Sequence, residues 1–136
     1  MRIVILSIVF LLISCRKEAD GIHKLSADDF IFKSGKYSFY DKEGSKTIQV
    51  REFKDGSLTF SFYDANRNSL YDYGSVKTFS SYQKWGIFLD KKSNLWFYNS
   101  DLQEHLILIK DTTGYTAREF PVDTVLPVKF KEWLKE

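Results

Sequence analysis

The clearest ligand-like spacing lies in DANRNSLYD, residues 64 to 72. Asp64, Asn66, Asn68 and Asp72 fall at positions 1, 3, 5 and 9 of that segment. Hard oxygen donors at alternate positions suit Ca²⁺. A calcium loop of that type also needs Gly at position 6 and Glu at position 12, where this chain has Ser69 and Ser75. Asp and Asn are also the residues that close turns between strands, so the segment reads first as a plain loop, and no metal or cofactor is expected. Catalytic chemistry is sparse. His105 alternates with Ile107 and Ile109 and reads as a partly buried or edge side chain, while His23 lies close to the amino terminus. G-x-S-x-G, H-E-x-x-H and a Gly-rich phosphate loop are all absent from the sequence. No Asp/Glu pair has a spacing that supports glycoside hydrolysis. The expectation is therefore a protein that is not an enzyme. What remains is an aromatic set: Tyr63, Tyr71, Tyr73, Phe88, Trp96 and Tyr98 fall opposite the expected core residues or in loops. Exposed, they would stack on sugars or anchor a protein interface. Under a covering helix, they would be core.

The one thiol, Cys15, has a special setting. Met1-Arg2 is followed by the apolar run IVILSIVFLLI, then Ser14-Cys15. A positive start, a short apolar stretch and a small residue form the plan of a secretory signal. The run is shorter than the roughly 20 residues needed to span a bilayer. Leu12-Ile13-Ser14-Cys15 resembles the lipobox of bacterial lipoproteins. The resemblance covers these first fifteen residues and implies diacylglyceryl modification of the Cys15 sulfur, cleavage before Cys15, and acylation (palmitate or similar) of the new amino terminus. Two or three acyl chains anchor stably where one is marginal. Arg16 stands where an Asp would retain such a protein at the inner membrane, which implies the outer membrane, on its periplasmic or surface side. The remainder has no cysteine, so the domain must be held by packing and not by disulfides.

Residues 1–14 are thus expected to be the signal, 15–29 a lipidated polar tether, and 30–136 a single β-rich domain. Removal of the signal takes Arg2 with it and leaves 19 Lys and Arg against 18 Asp and Glu. That balance gives no basic field for nucleic acid. Of 23 aromatic residues only Phe10 leaves with the signal, and a chain rich in Phe, Tyr and Trp favours strands.

Alternation locates the strands. KYSFYD (36–41), KTIQVREF (46–53) and SLTFSFYD (57–64) show period two, with Leu58, Phe60 and Phe62 on one face. Weaker strands follow near 70–73 and 76–79. Then come WGIFLD (85–90), NLWFYN (94–99), LQEHLILIKD (102–111) and YTAREF (115–120). The Leu106–Ile109 run suggests burial on both faces. Short turns separate these strands, so the expected fold is mainly β, an antiparallel meander forming a small sandwich or barrel. Pro127 before VKFKEWLKE marks a short C-terminal helix that docks Trp133 on the sheet or covers an open edge. Address and size suggest a lipid-anchored envelope protein that binds a protein partner, as an inhibitor or a toxin-immunity lipoprotein would. The alternative is glycan binding through an exposed aromatic face.

Overall fold

A computed structural model describes residues 21–75, 77–121 and 124–136. The signal and Cys15 lie outside that range. Among the described residues eleven strands form two sheets, and the fold is a sandwich rather than a closed barrel. The front sheet holds β1 (Ile22–Lys24), β3 (Gly35–Asp41), β4 (Gly44–Glu52), β5 (Ser57–Asp64) and β6 (Ser69–Asp72) in that order, with β7 (Phe79–Ser80) also on β5. The back sheet runs β11 (Gly114–Glu119), β10 (Glu104–Asp111), β9 (Leu95–Asn99), β8 (Trp85–Leu89) and β2 (Phe30–Ile31). Consecutive hairpins build the runs β3 to β6 and β8 to β11, as the short turns require, while β1, β2 and β7 join β3, β8 and β5 as non-consecutive neighbours.

The inner faces follow the alternation in the sequence. Tyr37 and Phe39 from β3, Ile48 and Val50 from β4, and Leu58, Phe60 and Phe62 from β5 are all buried. They meet Ile87, Leu89, Leu95, Phe97 and Leu108 from the back sheet in one apolar cluster. A second cluster lies behind the back sheet. There Phe88, Trp96 and Ile107 pack under Phe120 and under Phe130 of the helix α1 (Val128–Lys135). β10 is therefore apolar on both faces, as its Leu106–Ile109 run implies.

The helix begins after Pro127 and docks Trp133 on the back sheet between Phe30, Phe32 and Tyr98, with ring centroids 5.6–6.0 Å apart. Gly86 makes the close approach possible: a Cβ there would lie 2.9 Å from the Trp133 ring and 3.0 Å from Phe32. Lys84 fixes the other end of the helix by donating to the Trp133 carbonyl at 2.6 Å.

One boundary differs from expectation. The polar tether was expected to extend to residue 29, yet Ile22–Lys24 pair in parallel with Lys36–Ser38 of β3. Leu25 donates to the Ser38 carbonyl at 2.7 Å, and Asp28 to that of Leu89 at 2.7 Å. Isolated pairing to a preformed edge needs no hydrophobic alternation, so an exposed tripeptide such as Ile22-His23-Lys24 gives little strand signal.

The strand directions define two poles. Ile22 enters at the amino-terminal pole, with the turns 32–34, 53–56, 81–84 and 100–103. The hairpin pole, at the other end, carries the turns 42–43, 65–68, 90–94 and 112–113 and the start of α1.

Candidate functional site: the hairpin pole

The turns at the hairpin pole share one chemical device. Asp41, Asp64, Asp90 and Asp111 each open a turn and accept a backbone N–H two residues on, from Glu43, Asn66, Lys92 and Thr113, at 2.8–2.9 Å. Asp64 and Asp90 also accept the amides of Asn68 and Asn94, both at 2.9 Å. These two loops have the same form, with Arg67 and Ser93 in the left-handed region at φ 64° and 65°. The carboxylates thereby close Asx turns.

That arrangement accounts for the calcium-like spacing. Asp64 is occupied with its own loop, and Asn68 Nδ2 lies 3.4 Å from its Oδ2. Asp72 instead accepts the Gly74 amide at 3.0 Å. Asp64, Asn66, Asn68 and Asp72 are not brought together as ligands. Among the described residues no three His, Cys, Asp or Glu are grouped to hold a metal ion.

The aromatic set is mostly packed. Tyr73 and Trp96 are buried, 1% and 5% exposed. Trp96 lies under α1, and its Nε1 donates to Asp90 Oδ2 at 2.9 Å. Phe88 is fully buried beside it. Tyr98 is half-buried beneath Trp133 and beside His105, and Tyr71 packs on Phe60. Of the four tyrosines and one tryptophan expected as a ligand platform, Tyr63 alone keeps a place on the open front face. The expected exposed platform is thus corrected to packed side chains for two reasons: α1 buries Phe130 and Trp133 on the back-sheet face that carries Phe88, Trp96 and Tyr98, and Tyr71 and Tyr73 pack into the cluster between the sheets. His105 is half-buried between the rings of Tyr98 and Phe120, at 5.0 and 5.3 Å.

The structure assembles a charged group that sequence reading passed over. Lys46 alternates with Ile48 and Val50, and so points inward, 4% exposed. Lys110 alternates with Leu106 and Leu108 and also points inward. Both converge on Asp41: Lys46 Nζ lies 3.1 Å from Oδ1 and Lys110 Nζ 3.5 Å from Oδ2. Lys110 also reaches Glu43 at 2.6 Å and lies over the Tyr115 ring, 5.2 Å from its centroid. This network joins the two sheets at the mouth of the core. Burial alone would push the Asp41 carboxyl up; the Glu43 amide, Lys46 and Lys110 overcome that and hold it below the ordinary range. Lys110 is held above its ordinary value: burial pulls it down, and Glu43 and Asp41 more than offset this. Burial, reinforced by the nearby Asp41, Glu43 and Asp90, pushes the Tyr115 phenol up, and that hydroxyl donates to the Ser93 carbonyl at 2.7 Å.

The opposite end of β10 has a matching bridge. Glu104 accepts from Tyr73, from Lys77 and, at 3.2 Å, from Asn99 Nδ2. The inner face of β10 thus reads Glu104, Leu106, Leu108, Lys110, a charge at each end of an apolar pair. Period-two alternation was the signal for both, since it assigns Lys46 and Lys110 to the same face as their apolar neighbours.

Above the Asp41 network lies a cleft of about 840 Å³. Tyr40, Lys42, Lys92 and Thr112 are on its rim, and Asp41 and Lys110 at its base. A second cleft of about 410 Å³, between the 90–94 turn and the start of α1, shares Lys91 and Lys92 with it. No helix of the described residues is long and apolar enough to cross a membrane. No protein-family model, no curated protein and no solved structure matches this chain.

Proposed function

We propose that this chain is a lipid-anchored binding protein of the bacterial envelope, and that it receives a protein partner at the hairpin pole. The anchor reading rests on the resemblance of Leu12-Ile13-Ser14-Cys15 to a lipobox, and Arg16 fits placement at the outer membrane. The observation that carries the site is how charge is divided at this pole. Asp41, Asp90 and Asp111 spend their carboxylates on their own turns and on Lys46, Trp96 and Thr116 respectively. Lys42 and Lys92 are exposed and make no ion pair among the described residues, and Lys91 lies 3.9 Å from Asp28 with its side chain 81% exposed. Around these cations stand Tyr40, Val125 and Val128, 73%, 92% and 71% exposed. Apolar side chains ringed by exposed lysines suit an acidic protein surface, the lysines steering encounter and the apolar groups supplying contact area. Inhibitor or toxin-immunity action is the role such an anchored module would fill, by analogy of address and size.

Two measurements test this reading. Cys15→Ser should abolish fatty-acid labelling and leave the precursor unprocessed; unchanged membrane partition of that variant would overturn the anchor. The lipidated chain should retain a stoichiometric protein from envelope extract or culture supernatant, and Lys42→Glu/Lys91→Glu/Lys92→Glu should lower its recovery at least tenfold. Equal recovery by the variant would overturn the site. Retention of glycan without protein would favour the second reading. One feature supports that reading: Tyr63 borders a polar cleft of about 320 Å³ with Gln49, Ser61 and Arg67 on the open front face.

A further inference from the structure

The described residues expose eight large hydrophobic side chains, and five of them, Ile22, Phe32, Phe53, Tyr82 and Leu102, are at the amino-terminal pole. That clustering is not forced by the core. Phe53 and Tyr82 belong to turns, and are 49% and 82% exposed. Gly56, at φ +84°, holds the 53–56 turn against Tyr82, whose ring lies where a Cβ would be, 2.4 Å away. Phe32 and Tyr82 border one cleft of about 380 Å³, floored by Leu58 and Trp85. Phe32 is followed by Lys33 and Phe53 by Lys54, both exposed. Acidic residues are here too. Asp55 is engaged by Ser57 and Asp101 by the Ser80 amide, while Glu52 is exposed.

Aromatic rings at loop tips with adjoining lysines suit the membrane–water interface, where rings sit at headgroup depth and ammonium groups meet phosphates. The chain itself gives the direction. Ile22 is seven residue steps from Cys15, and at most about 3.6 Å per step gives a reach of roughly 25 Å. Ile22 begins β1, which runs parallel to β3 with Ile22 beside Lys36, close to the start of that strand. A lipid on Cys15 therefore leaves the domain at the pole that carries the exposed rings.

We propose that the amino-terminal pole docks on the lipid surface through Phe32, Phe53 and Tyr82, so that the hairpin pole faces away from the membrane toward its partner. This rests on the lipid-anchor reading. The anchor raises the local concentration of the patch at the bilayer, so each ring need contribute little for the orientation to be populated.

The test uses the full lipidated chain in phosphatidylethanolamine–phosphatidylglycerol vesicles, with and without brominated lipid. Lipidation blocks Cys15, the only native thiol, so one introduced cysteine can carry a thiol-reactive fluorophore. Lys54→Cys places it at the 53–56 turn and Lys42→Cys at the opposite hairpin tip. Brominated lipid should quench the Lys54→Cys label at least threefold more than the Lys42→Cys label. Adding Phe53→Ser/Tyr82→Ser to Lys54→Cys should remove most of that difference, with near-ultraviolet dichroism unchanged. Equal quenching at the two positions, or a difference that survives loss of the rings, overturns the docking while leaving the anchor intact. Labelling of the wild-type chain would instead show a free Cys15 thiol, and would overturn the anchor and the orientation together.

Discussion

Two inward-facing lysines carry much of the residue-scale physics. Lys46 and Lys110 occupy positions that alternation reserves for apolar side chains, and Asp41 compensates both. Removing one member of a buried pair leaves the other without its counter-charge, which costs more than the pair contributes. Lys46→Met is expected to lower stability by about 3 kcal/mol, measured by chemical denaturation. An unchanged midpoint would mean that water reaches Asp41 freely. The carboxylates also set an acid limit. Asp41 and Glu104 are both held below their ordinary values: burial raises each, and hydrogen bonds and neighbouring cations overcome it. Their contribution is present above the unfolded carboxylate values, roughly 4, and is lost as pH falls through the lower folded values. The melting temperature should hold from pH 7 to about 5 and fall below about 4. Glu104→Gln should start lower and show a shallower acid limb.

Among the elements, α1 decides what the molecule presents. It converts the outer face of the back sheet from an aromatic surface into a second core, with Phe130 fully buried over Phe88 and Trp96. Trp133→Ala should cost about 3 kcal/mol and release the helix end. The signature would be increased binding of a hydrophobic dye at temperatures below the melting transition. An unaltered dye signal would argue that Phe130 and Leu126 hold the helix unaided. The 64–68 loop makes the opposite point. Its oxygens close a turn, so EDTA should leave the melting temperature unchanged, and a shift of several degrees would restore a calcium site at Asp64. The turn logic was legible: every hairpin at this pole opens on Asp, and sequence alone favoured loop over ligand for that reason. The strands β3 to β5 and β8 to β11 were legible too, because half-buried strands must alternate. β1 and β2 were not, because two or three residues pairing to an existing edge bury too little to leave a pattern.

For the whole molecule, the two apolar clusters share the back sheet, and β10 contributes to both. Unfolding either exposes strands of the other, so the domain should melt in one cooperative step. Far- and near-ultraviolet dichroism should then give coincident transitions. An early near-ultraviolet phase would show that α1 and its cluster come off first. The poles are also unequal. One carries the amino-terminal entry and most of the exposed rings, the other carries turns with exposed lysines. This polarity gives the proposed anchor and the proposed partner site opposite ends of the sandwich along its strands.

The sequence alone determined that the chain is mainly β, where most strands and turns lie, which residues face the main core, and that a helix follows Pro127. Those properties depend on local periodicity and turn chemistry, which are written in adjacent residues. Tertiary structure alone decided that the strands form a sandwich, that Trp96 and Tyr73 are core and not ligand platform, and that Lys46, Lys110, Asp41 and Glu43 meet. It also decided that Phe32, Phe53 and Tyr82 gather at the pole where the chain enters. Each of these depends on which face another element covers, or on residues far apart in sequence sharing one end of a sheet. Alternation assigns a side chain to a face, but only the packing of that face determines whether solvent reaches it.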